Sequence, residues 1–520
     1  MTATARRLVL LALPVWLLGG CASAYLKRAP ASPSEPVIPD YSAEEPSRAS
    51  SSTSAEPPAG KPVDEGAAIQ EGRRYGLPEL IELAAASNPE TRIVWQRARQ
   101  AALAVGVANS SYWPTLSAIG FGGYQHSSFP ASSLASGLNL VATEFLPGIN
   151  FPAGQQTGTS GHVGVDTFQA LPFVALRWQA LDFSRGPAVK VAEQTSVAAN
   201  MVFLGEHQKL LFQVSKAYFG LGAARAQVRV AQDALERTRT IAQSAEARFG
   251  RGLATTVEVA EGRREVAQAE YGLTEARAAE TVAFSALLTA MGVDPRIALD
   301  INTVSSRPLV ESLREPVDGY VKTALGSRPD LLAAGANSAR AEALVDHASS
   351  HYWPRLSLIG TGGAQVLGAK VGEGSFSSVT VPTVTALASL EWLLLDGGAR
   401  EGGVEIARAR REEAELEIRK LKNTASKEVL SAYDEANAAL SRYRAAEALE
   451  RTAAVANDST ARSYEHGLST LADAAAAQKA YSLASAAKEQ SYAAARTAAP
   501  ALIFAAGQLR GVAAVPELTP

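Results

Sequence analysis

The chain has 520 residues, 47% of them apolar, and carries 49 basic and 52 acidic side chains for a net charge of −3. That length holds two or three ordinary domains with large buried surfaces. The even mixture of charges excludes an electrostatic footprint for nucleic acid, and a lone cysteine excludes an intrachain disulfide.

In chain order, Arg6 and Arg7 precede the apolar run "LVLLALPVWLL" (8–18), followed by "LGGCAS". A basic start, a short apolar stretch and small residues describe a secretory signal over 1–20. The run is too short for a bilayer span, which takes about 20 residues. Leu18-Gly19-Gly20-Cys21 resembles the lipobox of bacterial lipoproteins, which implies cleavage before Cys21 and acylation of that residue. Ala22, where an Asp often retains such proteins at the inner membrane, points to the outer membrane. Several acyl chains anchor far more firmly than one. Residues 21–72 read as a lipid-anchored tether, extended from about 27, with eight prolines between Pro30 and Pro62 and no fold of its own.

Beyond the tether the chain repeats itself. "SNPE" (87–90) pairs with "SRPD" (327–330), and "SYWPTLS" (111–117) with "HYWPRLS" (351–357), both at an offset of 240. "LRWQALDFSRG" (176–186) pairs with "LEWLLLDGGAR" (390–400) at 214, and "ARFGRGLATTVEV" (247–259) with "RSYEHGLSTLADA" (462–474) at 215. The drop from 240 to 214 leaves 26 extra residues in the first copy, assigned to a hairpin loop over 126–165. The copies are bounded at 75–305 and 306–511. Each opens with a helix (89–110, 329–350), followed by a β-hairpin (113–182, 353–396) and a long helical hairpin (184–291, 397–505).

After each Trp-Pro corner apolar and polar residues alternate, as for Val174, Leu176, Trp178 and Ala180 against Arg177 and Gln179. These describe strands of about 10 residues, the length that crosses a bilayer at a tilt. The stretch from 184 to about 249 carries heptad-like steps through Leu210, Val214, Leu221, Val228 and Leu235, and forms one helix of about 100 Å. The return path is built from 255–291 and, stacked on it, 329–350; the second return, 470–505, takes its upper half from 89–110. Trp113, Pro114 and Asp182, with Trp353, Pro354 and Asp396, mark the junctions between strands and helices.

The duplicated L-x-W-x-x-L-D motif at 176–182 and 390–396, the Trp-Pro corners and the two Gly-Leu turns together resemble the TolC family of bacterial outer membrane efflux proteins, in its lipoprotein branch. The likeness covers 75–511. It implies an α+β membrane protein, internally duplicated. Four strands per chain would close a 12-stranded barrel in a homotrimer, continuous with a periplasmic α-helical coiled-coil barrel. Four strands alone cannot close, since small membrane barrels start at about 8. The function implied is an outer membrane channel of a tripartite efflux system, with outer membrane lipid, a periplasmic adaptor and an inner membrane pump of the resistance-nodulation-division type as partners. An adaptor or structural lipoprotein without a pore, and a channel for ABC-type protein secretion, are the alternatives.

By the same resemblance, Gly252, Leu253, Thr255, Gly467, Leu468 and Ser469 would meet the adaptor, and Asp473 would narrow the closed periplasmic end. Thr255 with Glu258 and Thr470 with Asp473 also stand in an N-cap relation, so capping competes with gating. Two departures stand out: Asp182-Phe183-Ser184 replaces the family's Asp-Gly-Gly, suggesting a looser first turn, and Ala476 replaces a second tip carboxylate. No enzyme motif is present. Among His126, His162, His207, His347, His351 and His466 the one close pair, His347/His351, lacks the zincin glutamate, so neither metal nor cofactor is expected.

Overall fold

The structure, a computed structural model, describes residues 21–34, 73–130, 162–303, 308–310, 313 and 315–509. The signal at 1–20, the tether at 35–72 and the loop core at 131–161 lie outside these. The chain divides into two compact units: 105–191 with 341–409, and the rest.

The first of these units is built on one antiparallel sheet. Strands β2 (Thr115–Pro130), β3 (His162–Leu181), β5 (Arg355–Val371) and β6 (Ser377–Glu391) lie in the order β2-β3-β5-β6. They run 15 to 20 residues, longer than the 10 expected. The excess lies at the far ends, where Ser127↔Val165 and Ser128↔Gly164 still pair, so 126–130 and 162–165 are strand and not loop. Each added residue there finds its ladder partner, which favours extension over an open coil. Thr115 pairs with Arg177 in one hairpin and Arg355 with Glu391 in the other, so both hairpins keep one register under the 240 and 214 offsets.

The other unit is helical. Helix α4 (Arg185–Phe249) returns through α5 (Thr256–Met291), and α8 (Ala399–Glu465) through α9 (Leu471–Ala505). The heptad positions Leu210, Val214, Leu221, Val228 and Leu235 are buried, as are Ala425, Val429, Ala436 and Ala439 in the second copy. Alanine seams and small contacts let the axes approach closely: a Cβ on Gly262 of α5 would stand 3.3 Å from Ala242 of α4.

Two short helices escaped the sequence reading in full or in boundary: α2 (Leu77–Ser87), and α6 (Val317–Ser327) 240 positions later. Leu80, Ile81 and Ala84 of α2 pack with Leu211, Val214, Leu287 and Leu288 in the largest apolar cluster. A two-residue parallel pairing, β1 (Arg74–Tyr75) with β4 (Asp300–Ile301), closes this region beside the Arg74–Asp300 ion pair at 2.9 Å.

The helix stacking differs from the expected one. Helix α3 (Pro89–Ser110) starts against the end of α5, where Asn88 Nδ2 donates to Ala290 O at 3.2 Å. Helix α7 (Pro329–Ser350) starts against the end of α9, where Arg328 Nη1 donates to Ala505 O at 3.2 Å. The sockets are Gly292 (φ 73°) and Gly507 (φ 71°), both left-handed. A Cβ on Gly292 would fall 2.9 Å from Asn88 Cα, and one on Gly507 2.7 Å from Arg328 Cα. Glycine is required twice over, for its φ and for the space.

The tether is not extended throughout. Cys21–Leu26 form a short helix, α1, and Ala29 and Pro30 are buried. Trp95 Nε1 donates to Pro30 O (2.9 Å), Asn200 Nδ2 to Arg28 O (2.7 Å), and Arg28 pairs with Glu193 (2.8 Å). Proline-rich composition does not forbid docking where neighbouring helices supply donors.

Candidate functional site

The two tips are the same turn made twice. After α4, Gly252 N–H donates to Phe249 O (2.9 Å) and Leu253 N–H to Arg248 O (2.9 Å). After α8, Gly467 N–H donates to Tyr464 O (3.0 Å) and Leu468 N–H to Ser463 O (2.8 Å). Gly252 (φ 74°) and Gly467 (φ 76°) take the left-handed geometry this closure needs. Leu253 and Leu468 then stand in solvent, 63% and 82% exposed.

The following helices are capped as the spacing suggested. Thr255 Oγ1 accepts from Glu258 N, and Thr255 N donates to Glu258 Oε2, both at 3.2 Å. Thr470 Oγ1 accepts from Asp473 N (3.1 Å), while Thr470 N and Oγ1 donate to Asp473 Oδ2 (3.2 and 2.6 Å). Hydrogen bonds from the Thr470 side chain and then its backbone hold the exposed Asp473 carboxyl below the usual carboxylate range. It is charged, and its charge is directed at the helix start.

A tie between the tips was not legible. Arg248, at the end of α4, donates through Nη1 to Tyr464 O of α8 (2.5 Å) and lies 5.0 Å over the Tyr464 ring. Ala245, Tyr464, Leu471 and Ala474 close a small apolar cluster beneath it. An arginine before a turn is ordinary in sequence; only the fold brings Tyr464 under it.

The strand–helix corners are also doubled. Trp113 N–H donates to Ser110 O (3.0 Å) and Trp353 N–H to Ser350 O (3.1 Å); Pro114 and Pro354, lacking an N–H, end the helical turn and start the strand. Trp178 Nε1 donates to Tyr112 O and Trp392 Nε1 to Tyr352 O, each at 3.1 Å. Arg185 then covers the Tyr112 ring at 5.4 Å, and Arg400 the Tyr352 ring at 4.8 Å. The motif tryptophans thus clamp the returning strand to the corner. Trp113 and Trp353 themselves point outward, 74% and 60% exposed.

Asp396 accepts from Gly398 N (3.2 Å) and from Arg400 N and Nε (3.0 and 2.7 Å). Asp182 accepts from Ser184 N and Oγ (2.9 and 2.6 Å) and faces Arg355 Nε at 3.8 Å. Two residues separate Asp182 from the helix start at Arg185, and two separate Asp396 from the helix start at Ala399, so the two turns have the same length and the looser first turn is not seen. The Ser184 hydroxyl supplies a donor that the glycines lack.

His347 and His351 lie edge to face at 5.3 Å. Arg355 Nη2 stands 2.6 Å from His351 Nδ1, and a guanidinium can only donate, so this nitrogen is occupied as an acceptor. No group of three or more His, Cys, Asp or Glu side chains suited to a metal occurs among the described residues. No described helix is long and apolar enough to cross a membrane.

Long helical hairpins closed by paired glycine turns, and strands alternating in polarity behind aromatic corners, are features of a channel-type fold. The family profile described as "Outer membrane efflux protein" matches residues 80–293 and 320–508. The chain belongs to that family, and works as an outer membrane channel of a tripartite efflux system. It is 27% identical over 438 residues to Protein CyaE of Bordetella pertussis, covering 83% of this chain and 84% of that protein. Its fold is similar to a membrane protein from Pseudomonas aeruginosa (20% identity, 84% of this chain and 92% of that one, TM-score 0.66). It is similar also to the outer membrane protein VceC of Vibrio cholerae (20% identity, 83% and 96%, TM-score 0.62).

Proposed function

We propose that the chain is a lipid-anchored outer membrane protein, acylated at Cys21, that closes its pore as a homotrimer and receives solutes from an adaptor and a resistance-nodulation-division pump. The observation that carries this is the sheet order: β2 and β6 each pair on one side only among the described residues. A bilayer leaves no water for unpaired ladder groups, so those edges must meet other strands. Three chains of four strands, internally duplicated as the shared register suggests, give the 12-stranded closure. The even-numbered faces, with Leu116, Val174, Leu176, Leu356 and Leu390, suit lipid, and the outward Trp113 and Trp353 suit the interface.

At the two helical turns, exposed Leu253 and Leu468 favour adaptor contact, flanked by Gly252, Thr255, Gly467 and Ser469, because apolar side chains standing in water mark partner surfaces. Asp473 would add an acidic ring at the periplasmic entrance. The chain acts without catalysis.

Planar-bilayer recording on the purified protein tests the pore: discrete conductance steps are expected, and their absence would return the chain to the class of adaptors or tethers without a pore. In the same membranes Asp473→Asn keeps a side chain able to bond Thr470 and removes the charge. Cation selectivity at low salt is expected to fall, and unaltered selectivity leaves Asp473 as a helix cap alone.

A further inference from the structure

The face of the sheet taken as the lumen wall is mixed, with polar positions interrupted by apolar ones that include Ile359, Leu367, Val381 and Leu387. Residues that share the face of Thr115 and Arg177 include Ser117, Gln125, Gln169 and Thr385, while the opposite face is the apolar one. On that face, at mid-strand, Ile119 pairs with Phe173 and Phe121 with Leu171. The Phe121 and Phe173 rings lie 6.2 Å apart at 31°. Phe121 is 62% exposed, although it faces the side that the channel fills with water.

Glycine keeps the rings bare. Gly123 follows Phe121 on the same face, and Gly363 is the cross-strand partner of Phe173. A Cβ at Gly363 would fall 2.5 Å from Phe173 Cβ, so the site admits no side chain beside the ring. Burying such rings against lipid would need the other face; on their own face Phe121 pairs with Leu171, and the half-buried Phe173 with Ile119 and Gly363.

We infer that Phe121 and Phe173 form a contact site for solutes carrying an aromatic ring as they leave through the barrel, repeated once per protomer. The inference rests on the channel reading above. Twelve strands about 4.8 Å apart at a tilt near 40° set a backbone radius of about 12 Å. Rings reaching inward from that wall leave an open passage, so the patch touches a passing solute and does not block water. Offset stacking or edge-to-face contact is the geometry that two tilted rings offer, and it favours an aromatic solute over an aliphatic one of equal polarity.

The test uses phenyl β-glucoside and methyl β-glucoside, neutral solutes that differ by one ring, added from the barrel side of planar bilayers holding the full-length protein. Phenyl glucoside is expected to depress conductance at about 3- to 10-fold lower concentration. In the Phe121→Ala, Phe173→Ala double variant the two solutes should converge. If that variant does not assemble, Phe121→Leu with Phe173→Leu keeps apolar bulk and removes the ring faces, and the preference should fall at least about twofold. A preference that survives ring removal, or a wild type that conducts without one, overturns the inference and leaves the channel intact. A wild type that never conducts overturns the channel reading and the inference with it.

Discussion

The two strand–helix corners solve one problem with unequal side-chain economy. At the second, Arg400 donates to Asp396 and to the carbonyls of Leu393 (2.6 Å) and Leu394 (3.3 Å), with its ring partner beneath it. At the first, Arg185 is buried over Tyr112, with Nε and Nη2 meeting no acceptor. The cause is one hydroxyl. Ser184 N and Oγ both bond Asp182 Oδ1, the same oxygen that faces Arg355 Nε, so that oxygen is not offered to Arg185. The offset between copies also steps from 214 to 215 across this corner, which moves the arginine from three residues after the aspartate to four. Duplicated backbone therefore does not guarantee duplicated electrostatics.

The comparison can be broken by exchanging its parts. Arg400→Ala is expected to have the largest effect, because it strips three acceptor groups at once; its loss of thermal midpoint should be at least about twice that of any tryptophan variant below. Trp178→Phe and Trp392→Phe each remove one N–H···O bond and keep a ring, and should cost about 1 kcal/mol apiece, equally at both corners. Unequal losses would mean that the clamps are not equivalent. Arg185→Met, which fills the same space without unmet donors, is expected to be neutral or stabilising. Ser184→Gly should change stability least, within about 0.5 kcal/mol, but should create a coupling between positions 182 and 185. In the Ser184→Gly background a double-mutant cycle of Asp182→Asn with Arg185→Met reads that coupling, and its absence would remove the hydroxyl as the cause.

What was legible in sequence was local chemistry written close together. Glycine followed by leucine located both tips, Thr255 and Thr470 located the caps, and proline after tryptophan located both corners, because each depends on residues within one turn. The buried seam through Leu210, Val214 and Leu221 was legible because heptad spacing repeats for many turns. The stacking of α3 on α5 was not, since Asn88 and Gly292 lie 204 positions apart and nothing local says which helix end receives which start. Arg28, Ala29 and Pro30 were misread for a related reason: their stability comes from Trp95 and Asn200, which composition cannot see. The Arg248–Tyr464 tie and the bare Phe121–Phe173 pair likewise depend on register and on α4 meeting α8.

The unpaired edges of β2 and β6 have a consequence for how the pore comes into being. Joining two copies edge to edge consumes two edges and leaves two, as many as one copy had alone. A half-built assembly still carries two open edges in lipid, and only the last joint, which brings those two together, leaves none. Closure is therefore the one step after which no strand edge faces lipid. The proposed acyl anchor at Cys21, seven residues before the docked Arg28, would let the chain search for its mates in two dimensions and not three.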